Sequence, residues 1–179
     1  MQTRLRKAVV AALFLAVGMV LPLLTMQIKE IGDTLLPMHL PVLLCGFLCG
    51  AQYGGTVGLL LPFLRGMVFG MPPLYPNAVW MAVELATYGL VIGLVYACCR
   101  RKNLGQLYLC LLAAQLAGRV AWGLAKTVLL GLAGKPFTLA MFLTGGFVDA
   151  LPGIILQILL IPPVVHLLSR VADGKKQGG

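Results

Sequence analysis

The chain has 179 residues, 60% of them hydrophobic and only 11% charged. A water-soluble domain is nearer half apolar and a quarter charged, so an ordinary soluble core is excluded and one compact membrane bundle is expected. The net charge of +9 suggests nucleic acid only until the charges are located, and most of them sit in short loops.

Residues 1–7 carry Arg4, Arg6 and Lys7, and Ala8–Leu24 is then apolar. A signal peptide has such a basic head, but this apolar body is long and no A-x-A-like site follows it. The stretch is read as the first span. Ala8, Ala12 and Ala16 lie four apart on one helix face, where small residues let another helix approach closely. Spacing alone admits a neighbour inside the bundle or outside it.

Residues 25–40 form a more polar connection with Lys29, Glu30 and Asp33. It ends in Pro37, His39 and Pro41, a poor helix former because proline lacks an N–H and restricts the residue before it. Irregular backbone cannot face lipid, so this segment is expected to form the lip of a binding site, with His39 outside any helix face. The second span is Pro41–Ala51. Gly50-Ala-Gln-Tyr-Gly-Gly reads as a turn, and the third span is Thr56–Gly70. Both are short against the roughly 20 residues that a bilayer needs. A second proline-rich loop, Met71–Asn77, precedes the fourth span, Ala78–Cys99. The fifth is Leu104–Leu132. The sixth is Phe137–Leu168, bent at Pro152 or at Pro162–Pro163.

The expected fold is therefore an all-α integral membrane domain of six transmembrane helices over residues 1–170. A polar tail without regular structure follows at 171–179. Nine Lys and Arg residues lie at the N-terminus, the 100–102 loop and the tail, against Lys29 and Lys135 in the opposite loops. The positive-inside rule places both termini in the cytoplasm of a multi-pass cell-membrane protein. No internal repeat is evident. Cys45, Cys49, Cys98, Cys99 and Cys110 have no zinc-site spacing and are read as small core residues.

Arg65, Arg119, Lys126, Glu84 and Asp149 fall within spans. A charge at mid-bilayer costs about 2.5–3.5 kcal/mol on insertion scales, so such residues face the interior and have partners. Asn77, Trp80, Glu84 and Tyr88 share a face of the fourth span. Gln115, Arg119, Trp122 and Lys126 share one on the fifth, and Thr138, Phe142, Gly145, Asp149 and Gly153 one on the sixth. At about 1.5 Å per residue, Glu84 and Lys126 lie about 10 and 8 Å from the outer ends, and Arg119 and Asp149 about 18 Å. A deep Arg119–Asp149 pair and a shallower Lys126–Glu84 pair are predicted, with Arg65 also shallow. The deep pair could equally be a structural ion bridge. The shallow set has more bases than acids, which leaves one base for a ligand's carboxylate or phosphate. Trp80, Trp122, Tyr75 and Tyr88 could stack on a flat ring, or Tyr75 could belong to the interfacial belt. No catalytic motif, metal cluster or phosphate loop occurs, so no enzyme, metal site or cofactor is expected. Any ATP-driven transport then needs a partner that hydrolyses the nucleotide.

The run LPMHLPVLLCGFLCGAQYGGTVGLLLPFLRGMVFGMPPLYPNAVWMAVELATYG, with the later FVDALPGIILQILLIPPVV, resembles the substrate-binding S component of an energy-coupling factor (ECF) vitamin transporter. The resemblance covers roughly residues 8–168. It implies a six-helix subunit that captures a small water-soluble vitamin or precursor from outside. Such a subunit works with a transmembrane coupling subunit and two cytoplasmic ATPase subunits, and rotates in the membrane to deliver its cargo. It implies that Ala8, Ala12 and Ala16 dock the coupling subunit and that Met26–Pro41 is a lid. It implies a site built from outer loops and the outer halves of helices 4–6, where the stripes already lie, and the candidate substrate-binding residues are His39, Arg65, Tyr75, Asn77, Trp80, Glu84, Tyr88, Arg119, Trp122, Lys126 and Asp149. Residue sets of the riboflavin, thiamine and biotin binders are missing. A small anionic vitamin or precursor such as pantothenate is the expected ligand. The competing reading is a non-catalytic scaffold subunit of a cell-envelope assembly, which would explain the small-residue ridges but not the converging charges.

Overall fold

A computed structural model describes residues 2–25, 37–99 and 103–177. Most of the expected lid and the basic loop Arg100–Lys102 lie outside the described residues. Seven α-helices are present among those described: α1 (Gln2–Val20), α2 (His39–Cys49), α3 (Ala51–Phe69), α4 (Val79–Cys98), α5 (Leu104–Leu132), α6 (Leu139–Leu143) and α7 (Leu151–Gln177). A 3-10 turn, Leu21–Thr25, extends α1, and π-helical turns at Leu74–Ala78 and Thr144–Val148 precede α4 and follow α6. Among the described residues, four stretches are long and apolar enough to cross a membrane: Arg4–Leu23, Leu74–Cys98, Leu104–Leu132 and Leu151–Leu168.

The short helix α2 sits at the centre. Its residues enter two cores, one with α1, α3 and α4 around Val42, Leu61 and Leu85, the other with α4, α5 and α7 around Leu43, Ile92 and Leu111. It begins at His39, so that residue is on a helix and not outside one as expected. Pro41 is its third residue. The first four N–H groups of a helix have no intrahelical partner, so proline is tolerated there.

The expected turn over 50–55 shrinks to Gly50 alone. Its φ of 97° is open to glycine, and α3 starts at the next residue. Gly54 and Gly55 belong to that helix and serve close packing. A Cβ on Gly54 would stand 2.7 Å from the Gly46 Cα and 2.8 Å from the Gly89 carbonyl oxygen. The backbones of α2, α3 and α4 therefore approach as only small residues permit. Away from these contacts the bundle is apolar outside. Leu116, Val120, Leu124, Val128 and Leu132 form one exposed row along α5, a face suited to hydrocarbon and not to water.

Three further expectations change. The sixth span is not continuous: α6, the π turn and α7 follow one another, and the break is the turn at 149–150; Pro152 stands in the first turn of α7, where its missing N–H costs no helix bond. The tail does not lack structure, since α7 runs to Gln177. Cys45, Cys49 and Cys110 are buried, but Cys98 is exposed.

Candidate functional site

The four-residue stepping of α4 puts Glu84 and Tyr88 one turn apart on its buried face, and the Tyr88 hydroxyl donates to Glu84 Oε1 at 3.1 Å. From α5, Arg119 Nη1 reaches the same oxygen at 2.9 Å. From α2, His39 Nε2 stands 3.5 Å from it, and the His39 ring meets Tyr88 edge-on with centroids 5.2 Å apart. Glycine at 118 makes room for this: a Cβ there would lie 2.7 Å from Tyr88 Cε1. All four side chains are buried, at 1–3% exposure. Ionisable groups so deep in a membrane bundle are expensive and mark functional positions by default. The Nε and Nη2 atoms of Arg119 and both ring nitrogens of His39 are buried without a hydrogen-bond partner among the described residues.

One turn beyond Glu84 and two turns beyond Arg119, toward Gly134, lies an aromatic box. The Lys126 ammonium sits 4.2 Å from the Trp122 ring centroid, 5.0 Å from Trp80 and 5.7 Å from Phe137. These are cation–π distances. Phe142 also packs on Trp122, with ring centroids 6.1 Å apart, and Gly123 leaves space for its ring.

The predicted pairings are both corrected. Arg119 binds Glu84, not Asp149, and Lys126 stands among aromatic rings instead of on Glu84. Depth counted from residues 77 and 131 put Glu84 about 8 Å above Arg119; their contact means that α5 runs about that much farther than α4 at this end. Asp149 is exposed. The π turn explains it: the Asp149 N–H bonds to the Thr144 carbonyl, five residues back, at 2.9 Å. Three-and-four counting slips by one residue through such a turn. Phe142 and Gly145 still face Trp122, but the register beyond them is rotated.

Arg65 is buried but lies elsewhere. It donates to the Met19 carbonyl at 3.0 Å and stacks over Phe69 at 5.5 Å, which caps the end of α1. Tyr75 is 65% exposed and Asn77 partly exposed in the π turn; neither reaches the cluster. Ala8, Ala12 and Ala16 are all exposed, while α1 buries Ala11 and Gly18 against the bundle. One polar partner escaped sequence reading: Gln157 of α7 is 1% exposed and accepts from Gln115 Nε2 at 3.0 Å. Its signal was there, a lone amide inside the apolar run Ile154–Val165.

No curated protein and no solved structure matches the chain. A family model described as "ECF transporter, substrate-specific component" matches residues 6–165. That span holds the whole buried cluster, the aromatic box and the alanine row. The chain belongs to this family, the substrate-binding membrane subunits of ECF transporters.

Proposed function

We propose that this subunit captures a small water-soluble vitamin or vitamin precursor where α2, α4 and α5 meet. The observation that carries the reading is the convergence of His39, Glu84, Tyr88 and Arg119 from three helices, next to the Trp80–Trp122–Lys126 box. Polar groups deep in the cluster orient a ligand, and the rings beside them hold its flat or apolar part. The two sets lie about 10 Å apart along α5, given the helical rise, a length suited to a compact metabolite. Arg65, Tyr75 and Asp149 take no part in this reading, and Asn77 lies at its margin. Six spans, with both termini cytoplasmic, remain our topology: α1, the short α2, α3, α4, α5 and the broken α6–α7. In this orientation the site faces the outside.

The test is chemical. Protein purified in mild detergent and then denatured should release one small vitamin-like compound, identified by mass spectrometry. A sample that is empty, and that fails to bind any member of a full water-soluble vitamin panel, overturns the reading.

The alanine row supplies the docking face for the transmembrane coupling subunit, which in turn engages two ATPases. Its exposure on α1 supports this, since a row spent on packing inside the bundle would be buried. Ala12→Trp should abolish cellular uptake while ligand affinity in the purified subunit stays within about twofold, because the residue is on the far side of α1 from the site. Uptake at the wild-type rate would show that docking lies elsewhere.

A further inference from the structure

The hydrogen-bond inventory of the buried cluster narrows the ligand's chemistry. Among the described residues, every polar contact to Glu84 falls on one oxygen, Oε1, which receives Arg119 and Tyr88 and faces His39. Glu84 Oε2 therefore keeps its accepting capacity. Arg119 spends only Nη1 on Glu84, and its buried Nε and Nη2 have no partner among the described residues. Those two nitrogens form one edge of the guanidinium, with parallel N–H bonds aimed at a single acceptor group. The cluster thus offers a donor fork and a carboxylate acceptor together.

Charge decides what the fork takes. Glu84 and Arg119 cancel, and the other ionisable groups facing them are Tyr88 from α4 and His39 from α2. A ligand carboxylate on Arg119 would add a second negative charge beside Glu84 at 1–3% exposure. Arg119 would then face two carboxylates. Leaving a buried charge uncompensated outweighs the gain from a bidentate contact. A neutral group avoids this cost and uses both features.

We propose that the ligand presents a neutral amide, lactam or ureide to this cluster, its C=O accepting from Arg119 Nε and Nη2 and its N–H donating to Glu84. This rests on the function proposed above and replaces the anionic ligand expected from sequence. Lys126 and its rings then meet a different part of the molecule.

The experiment uses matched probes on the purified full chain at pH 8, with affinity read by calorimetry: nicotinamide against nicotinate, and picolinamide against picolinate, pairs whose acids hold no amide of their own. The primary amide is expected to bind at least about tenfold more tightly than its acid, the scale of one misplaced charged hydrogen bond. Glu84→Gln removes the negative charge and should shift preference toward the acid; the wild-type comparison decides even if that variant does not fold. An acid that binds as well as its amide overturns the proposal and leaves the transport reading intact. If neither pair binds, the compound released on denaturation decides: one without an N–H beside a C=O overturns the proposal. An empty protein that ignores the whole vitamin panel overturns both.

Discussion

Arg119→Met is expected to cost the fold about 3–5 kcal/mol, because it leaves Glu84 as a buried charge without its partner. Tyr88 still donates to that carboxylate, but one neutral hydroxyl does not balance a full charge in a low-dielectric interior. The double variant Glu84→Gln/Arg119→Met should regain most of the loss. Replacing a whole buried pair with neutral groups of similar volume is often neutral or stabilising. Thermal unfolding in detergent, followed by monodispersity on gel filtration, would measure both. Ligand binding should be lost in the single and the double variant alike. Stability that does not recover in the double variant would mean that the pair contributes through packing and not through charge. The two readouts separate fold from function, since a pair kept only for stability would not take binding with it when the fold is restored.

Gly89→Val should prevent folding outright. A Cβ at 89 would overlap the Gly54 carbonyl group and crowd the Gly55 nitrogen. These are backbone atoms, so no rotamer change relieves the clash and α3 and α4 must separate. Overpacking in a core costs about 1–3 kcal/mol where side chains can adjust, so a backbone clash should reach or exceed the top of that range. Separation would also shift Glu84 and Tyr88, which lie on the same helix as Gly89 and depend on its seating. Gly131 is the control. Nothing lies within 4 Å of a Cβ placed there, so Gly131→Ala should be neutral or stabilise by about 0.5–1 kcal/mol through helix propensity. Expression yield and monodispersity of the two variants, side by side, make the measurement. A well-folded Gly89→Val protein would show that this helix contact is looser than described.

Both expectations rest on features only partly visible in the chain. The buried charges were legible, because an ionisable residue inside an apolar run must find a partner. Which partner was not. Helical rise gives distance along one helix but not the offset between two, and α5 overshoots α4 by enough to exchange Asp149 for Glu84 as the partner of Arg119. His39 is legible as a polar residue before an apolar run, but its neighbouring prolines disguise the start of α2. Proline in a first turn breaks nothing, and sequence alone does not say where a first turn begins.

Composition by itself determined that the chain lives in a membrane, and periodicity determined which face of α4 and α5 carries the polar side chains. These are local properties: hydropathy is summed residue by residue, and the helical repeat holds within one unbroken helix. Tertiary structure alone decided that Gly54 and Gly89 are contact points and not turn residues, that Arg65 caps α1, and that a π turn swings Asp149 out of the bundle. Each depends on how separate helices are placed against one another, or on a single extra residue in a turn, and neither leaves a repeat in the sequence to be read.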